Sequence, residues 1–255
     1  MLQAGDVAVV TGASSGLGRA IACTLARRGV TTIGLARRAA ELDVLATELR
    51  ATAPASHCLV CDVADTASLT SLLAEVEAMH GRIDLLVNAA GVEQRLAAVD
   101  ADLDHYAHTF TVNTLGAIAS TLAVLPGMVT RGRGWIVNIS SDQGRAPTPM
   151  TSAYSSSKAA LSAFTESVAH EHHGTGVHLH ALYPGWVPTG MGQRAVDHGM
   201  AKPPRAVRRT EQQVADALLR GLGGRLEINV APLAALAPIA RALAPRTYAR
   251  NLARR

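Results

Sequence analysis

The stretch "YSSSK" sets Tyr154 and Lys158 four residues apart. On a helix that spacing puts both side chains on one face, so a phenol and an ammonium can point together into a crevice. A free phenol titrates near ~10 and is a poor proton donor or acceptor at neutral pH, but a neighbouring ammonium favours the phenolate and lowers that value by roughly 1–3 units. Tyr154 is thereby expected to act as a general acid or base. A tyrosine–lysine pair that only packs the helix is the competing reading.

A second stretch with chemical potential is "TGASSGLG", Thr11 to Gly18, between the apolar run "VAVV" and "RAIACTLARRG". Its glycines fall at Gly12, Gly16 and Gly18 rather than in the usual dinucleotide spacing G-x-G-x-x-G. A strand ending at Val10 and a helix beginning near Gly16 place the intervening amides at a helix N-terminus, where free N–H groups and the dipole favour an anion such as a pyrophosphate. Gly12 would permit the sharp turn, Gly16 close approach of cofactor to backbone, and Gly18 close packing of helix on sheet. A tight turn with no ligand is the alternative.

Sites that prefer NAD place a carboxylate at the end of the second strand, about 20 residues past the glycines, to accept from the ribose 2′-hydroxyl. Here "TTIGLARR" offers Ala36 at that point and Arg37 beside it. A guanidinium matches a phosphate in charge and fork geometry, so NADP(H) is favoured and NAD(H) remains possible. A solvated loop pair is the other reading of Arg37 and Arg38.

These groups need elements to hold them. Short apolar runs recur, most followed by helical spacing: "VAVV" then 17–28, "TTIGLA" then 39–52, "HCLVCDV" then 66–79, "IDLLVNAAG" then 102–130, "GWIVNISS" then 153–173. "VHLHALYPG" leads into an irregular stretch, "TEQQVADALLRGLGG" reads as a helix opened by Thr210, and "LEINVAP" as a seventh strand. Strands apolar on both faces, alternating with helices, predict an α/β fold: one doubly wound Rossmann-type domain over residues 1–255, its seven-stranded parallel sheet flanked by helices. The stretch at about 190–210, with Met191 and Met200, is expected to lie over the ligand crevice as a substrate loop.

Composition narrows the function classes. The chain has 255 residues with two Phe, two Trp and four Tyr, too few aromatics for a base-stacking nucleic-acid surface. Strand-like residues begin at Val7, leaving no room for a secretory signal, and the late apolar segment "VAPLAALAPIARALAP" is broken by prolines and an arginine, so no membrane span is expected there and a cytoplasmic location is. The net charge is +4, and the apolar and basic tail at about 231–255 holds Arg241, Arg246, Arg250, Arg254 and Arg255. A solvated helix end and a contact with acidic partners both fit such a tail.

The three cysteines do not suggest a disulfide framework, and Cys58 and Cys61, three apart on a strand, point to opposite faces. His170, His172 and His173 cluster near a helix end, and His178 and His180 share one face of a strand. No cysteine or carboxylate completes a set at recognised spacing, so no metal is expected.

"TGASSGLG", "NAAG" at Asn88 to Gly91, Asn113, "NISS" ending at Ser141, "YSSSK" and "PGWVPT" from Pro184 to Thr189 together resemble the short-chain dehydrogenase/reductase family in order and spacing. The resemblance implies that Tyr154 gives a proton to a carbonyl oxygen as hydride arrives, and that Lys158 lowers the tyrosine's pKa while binding the nicotinamide ribose. It implies further that Ser141 hydrogen-bonds the substrate oxygen and Asn113 holds a water linking Lys158 to solvent. Ser140 is the competing serine; strand alternation sends it to the opposite face, and the family's spacing from the tyrosine selects Ser141.

For the cofactor, the resemblance puts Ser14 beside the 2′-phosphate, with Ser15 and Leu17 in the same turn, and Asp62 and Val63 beside the adenine. It sets Asn88, Ala89, Ala90 and Gly91 along the adenosine ribose. Pro184, Gly185, Val187 and Thr189 pass the nicotinamide, the Val187 backbone and Thr189 hydroxyl meeting its carboxamide. Small residues in "SSSKAALSA" allow a second subunit close, and the resemblance implies a homo-oligomer paired through that helix.

The function expected is NADPH-dependent reduction of a ketone or aldehyde to an alcohol, reversibly. An NAD-dependent alcohol dehydrogenase run oxidatively is one alternative. A non-catalytic dinucleotide-binding protein is another, against which the joint presence of Tyr154, Lys158, Ser141 and Asn113 counts.

Overall fold

The structure, a computed structural model, describes residues 1–253; Arg254 and Arg255 of the basic tail lie outside the described residues. Its strands are β1 (Val7–Thr11), β2 (Thr31–Ala36), β3 (His57–Val60), β4 (Leu85–Asn88), β5 (Gly134–Ile139), β6 (Val177–Tyr183) and β7 (Glu227–Asn229). They form one seven-stranded sheet in the order β3-β2-β1-β4-β5-β6-β7, with every pairing parallel. That is the doubly wound, Rossmann-type arrangement expected. The winding reverses between β1 and β4, and in such sheets the crevice outside the carboxyl ends at the reversal is where ligands bind.

The helices are α1 (Gly16–Ala26), α2 (Ala39–Arg50), α3 (Thr66–His80), α4 (Leu103–Phe110), α5 (Gly116–Arg131), α6 (Asp142–Arg145), α7 (Ser152–Glu171), α8 (Gly190–Asp197), α9 (Glu211–Gly221), α10 (Ala237–Leu243) and α11 (Pro245–Ala253). Strand alternation feeds two cores. Ala8, Val10, Leu85 and Val87 pack with Leu25 of α1, Leu45 of α2 and Leu218 of α9, whereas Val7, Val9, Leu86 and Ile136 pack with Leu73 of α3 and Met128 of α5. Both sheet faces are therefore dry, which is why the strands read as unbroken apolar runs.

Helix ends follow local chemistry. Asp65 caps α3 by accepting from Ser68 N, and Gly81 closes it in the left-handed region at φ 73°. Thr210 opens α9 in a reciprocal capping box with Gln213, as its sequence position suggests.

The expected irregular stretch after β6 contains instead a helix, α8, whose N-cap Thr189 accepts from Gly192 N. α4 and α5 run on through a π-helical turn, Thr111–Leu115. The continuous run Leu103–Arg131 is long and apolar enough by composition to cross a membrane, with 56% of its most apolar window buried inside the protein.

At the amino ends of the central strands four charges interlock. Asp84 accepts from Val7 N at 2.9 Å and pairs with Arg82 and Arg133, while Arg133 also pairs with Asp6 at 2.7 Å. Asp84 is fully buried.

Candidate active site

A cleft of about 620 Å³ opens at the carboxyl ends of the strands. Its floor is the turn after β1. Gly12 has φ +67°, and a side chain there would meet the Ala90 backbone at 2.8 Å. The Thr11 hydroxyl reinforces this junction by accepting from Ala89 N and Ala90 N, each at 3.1 Å. Gly16 has φ +53°, and a side chain there would meet the Thr189 methyl at 3.2 Å. Gly18 packs against the Gly12 carbonyl, so its lack of a side chain lets the start of α1 sit close on the turn that leaves β1.

Ser15, the N-cap of α1, makes no side-chain cap, and the first turn carries no acidic residue. Uncapped N–H groups and a positive helix end are what a pyrophosphate needs, so the residues present fit a dinucleotide. Ser14, Leu17, Ala89 and Gly91 line the same cleft.

At the end of β2, Arg38 donates to Ser14 Oγ through Nε at 3.2 Å and Nη2 at 2.9 Å, and pairs with Glu41 at 3.3 Å. Arg37 pairs with Asp62 at 3.6 Å. Both guanidiniums line the cleft, as do Asp62 and the buried Val63, with Ala36 between them and the glycine turn.

Across the cleft, α7 presents Tyr154 and Lys158, both buried. Lys158 Nζ donates to the Ile139 carbonyl at 2.7 Å and lies 6.0 Å from the centre of the Tyr154 ring. Ser141, the N-cap of α6, lines the cleft with Tyr154 and accepts from Gln143 N at 3.2 Å. Ser140 is buried against α7, bonded to Ser162 Oγ at 2.6 Å, which leaves Ser141 as the serine facing Tyr154.

Burial pushes the Tyr154 phenol well above its ordinary value, the Glu93 carboxylate adds to the rise, and the Ser141 hydroxyl opposes it. Burial in turn pushes Lys158 down to about 8, against the favourable charge of Glu93.

The segment after β6 closes the cleft. Gly185, at φ +76°, donates its N–H to Asp142 at 3.1 Å, and the Thr189 hydroxyl caps α8 while its own N–H bonds the Val187 carbonyl. Pro184, Gly185, Val187 and Thr189 all line the cleft, and α8 adds Met191 and Arg194 above it.

The comparisons with known proteins now have a site to be read against. The short chain dehydrogenase family matches residues 6–199. The chain belongs to this family of oxidoreductases. It is 34% identical to the dehydrogenase/reductase SDR family member 7B of Bos taurus, over 98% of this chain and 81% of that one. A short chain dehydrogenase of Pseudocercospora fijiensis is 39% identical over 74% of this chain, and the match spans 62% of that relative's length. A ketoacyl reductase of Nostoc is 34% identical over 86% of this chain and 75% of its own. Among solved structures, a variant actinorhodin polyketide ketoreductase with NADPH superposes with TM-score 0.82 at 28% identity, covering 90% of this chain and 97% of that one. A short-chain dehydrogenase from Streptomyces avermitilis gives TM-score 0.83 at 28% identity, covering 98% and 97%.

Two expected site residues of this short chain dehydrogenase do not reach the cleft with their side chains. Asn88 is turned inward, donating to Asn138 Oδ1 at 2.8 Å and accepting from Ser120 at 2.7 Å, so it ties β4 to β5 and α5. Asn113 clamps the loop after β4: its side chain accepts from Val92 N at 2.8 Å, donates to the Val92 carbonyl at 2.9 Å and donates to Ser157 Oγ at 3.1 Å. Both of its amide hydrogens are committed to protein partners, while Oδ1, which accepts from Val92 N, keeps a second lone pair.

Sequence reasoning passed over Thr11, Asp142, Arg194 and, above all, Glu93. Glu93 follows "NAAGV", and the signal that would have found it is an acidic side chain directly after an apolar strand-end loop.

His180 is committed as well, its Nδ1 to the Arg225 carbonyl at 2.8 Å and its Nε2 accepting from Gly223 N at 3.1 Å. Cys58 and Cys61 pack into opposite cores, as their spacing predicts.

Proposed function

We propose that this protein is an NADPH-dependent reductase that converts a ketone or aldehyde into an alcohol. The observation that carries the reading is that the glycine turn, the two arginines after β2 and the Ser141–Tyr154–Lys158 group open on one cleft. The Nostoc and actinorhodin relatives, a ketoacyl reductase and a ketoreductase with NADPH, lie in the same direction.

Bound NADPH supplies the hydride. The amides at the start of α1 hold its pyrophosphate, and Arg37 and Arg38 hold the 2′-phosphate, Arg38 being already forked onto Ser14. Ser141 donates to the substrate's carbonyl oxygen and Tyr154 delivers a proton to that oxygen as charge develops on it. The Tyr154 phenol, raised by burial, stays protonated at neutral pH, so the proton is in place before charge develops on the carbonyl oxygen. Lys158 holds the nicotinamide ribose, and Asn113 fixes the loop that carries Gly91 to Glu93.

The single domain acts as a soluble homo-oligomer in the cytoplasm, pairing through α7, where Ser156 and Ala163 are small and exposed. Light scattering at micromolar concentration should give a dimer or tetramer.

The test of the reaction is a carbonyl panel followed by loss of reduced-nicotinamide absorbance. NADPH should be consumed with at least about tenfold better kcat/KM than NADH. Consumption of neither cofactor would overturn the reading; equal use of both would overturn its NADPH part.

A further inference from the structure

The substrate end of the cleft holds a carboxylate that the reaction as derived does not use. Glu93 leaves the loop after β4 and lines the cleft with Tyr154, Lys158 and Arg194. Its Oε1 is buried and, among the described residues, has no hydrogen-bond partner. Arg95, Arg194 and Lys158 act on it as charges, and its own charge reaches the Tyr154 phenol. No described ion pair joins Glu93 to any of those cations within 4.0 Å, although ten such pairs occur elsewhere in the chain. A buried acceptor without a donor is costly, and an occupant of the cleft that brings a donor removes the cost.

The phosphate half of the cofactor is a poor candidate for that occupant, and the nicotinamide ribose has Lys158 as its partner in the reductase reading. The phosphate-binding groups lie after β1 and β2, whereas Glu93 follows β4 and faces α7 and α8. An ammonium is also a poor match, because three cations already surround the carboxylate. A neutral hydroxyl satisfies the oxygen without adding charge.

We propose that Glu93 selects the substrate by accepting a hydrogen bond from a hydroxyl group carried next to the reacting carbonyl, so that hydroxylated ketones and aldehydes are the preferred class. This rests on the reductase reading. The hydroxyl is carried next to the carbonyl because Glu93 lines the same cleft as Tyr154, the group that protonates the carbonyl oxygen.

The test compares hydroxyacetone with butan-2-one, which differ by a hydroxyl in place of a methyl, with NADPH in the wild type, Glu93→Gln and Glu93→Ala. The ratio of kcat/KM values, hydroxylated over plain, is the readout. Hydrogen bonds to a charged group of this kind correspond to about ten- to a hundredfold, so the ratio should collapse by that factor in Glu93→Ala. Glu93→Gln keeps an acceptor oxygen and nearly the same shape, and should lose about tenfold or less. If the alanine variant does not fold, a fall in the glutamine variant's ratio carries the test. A ratio unmoved in both variants, with the two ketones slowed equally or not at all, would overturn the role of Glu93 while leaving the reductase intact. Wild type that reduces neither ketone nor any other carbonyl would overturn the reductase reading and this inference with it.

Discussion

The two ends of the central strands treat charge in opposite ways. At the amino ends of β1, β4 and β5, Asp6, Arg82, Asp84 and Arg133 each have an ion-pair partner, and Asp84 also holds a backbone N–H. At the carboxyl ends, Glu93 Oε1 and Arg95 Nε are buried without hydrogen-bond partners, and the buried Tyr154 and Lys158 have pKa values pushed away from their ordinary range. The four-charge cluster at the amino end is paired throughout and so contributes to folding. The carboxyl end leaves acceptors, donors and protons available, which is how a fold departs from its own packing rules where it does chemistry.

The sharpest way to break that comparison is Tyr154→Phe. The ring and its packing remain while the proton is removed, so turnover should fall by about 10²–10⁴-fold with NADPH affinity within about twofold of wild type. Single-turnover rates and fluorescence titration of the cofactor separate the two. Turnover within about tenfold of wild type would mean that the proton comes from elsewhere in the cleft.

The mirror experiment is Asp84→Ala. It removes the acceptor of Val7 N and leaves Arg82 and Arg133 with Asp6 alone, and unfolding in urea should show a loss of about 3 kcal/mol with kcat per folded molecule unchanged. Both guanidiniums are about a third exposed, at 39% and 32%, which keeps the loss at the low end for a broken buried pair. A fall in kcat without a fall in stability would erase the division between the ends.

The same contrast decides what could be read from the chain alone. The turn after β1 and the Tyr154–Lys158 pair were legible because each lies within a few consecutive residues, where spacing fixes geometry. The sheet was legible because both of its faces are dry. The amino-end cluster draws on residues 6, 82, 84 and 133, which only the parallel register of β1, β4 and β5 brings together.

The inward turn of the Asn88 side chain was illegible for a related reason: the residue stands at the end of a strand, and the turn depends on Asn138 and Ser120, which meet it only in the folded sheet. Asn113 sits in a π-helical turn, a register that an α-helical reading of 102–130 does not contain. α8 was missed because it is short and polar overall, and its start depends on the cap by Thr189.

The third prediction tests the arginines, which belong to the unsatisfied end in part only, since each has a protein partner. Arg37→Ala and Arg38→Ala should each weaken NADPH by about ten- to a hundredfold while leaving NADH nearly unchanged. Adding Ala36→Asp should then reverse the preference, by repelling the phosphate and accepting from a free 2′-hydroxyl. Isothermal titration with both cofactors gives the answer. Equal losses for the two would show that the arginines shape the Ser14 turn and do not read the phosphate.

The smallest effect expected is in the pH dependence, and it sharpens the comparison because activity and stability move in opposite directions. Burial holds Lys158 near about 8 in the folded protein against 10.5 for the free side chain. Between those values the unfolded chain binds a proton that the folded one lacks, so this group makes stability rise with pH across that window and leaves it lowest below about 8. The ammonium that binds the ribose is lost over the same window, while the raised Tyr154 phenol stays protonated. The kcat/KM for NADPH reports the free enzyme and should fall about tenfold over the first pH unit above the limb, with the melting temperature steady or rising. Glu93→Gln removes a charge that favours the ammonium, so the limb should move to lower pH. A limb unmoved by that substitution would place the titration on a group other than Lys158, and activity and stability falling together would make it the onset of unfolding.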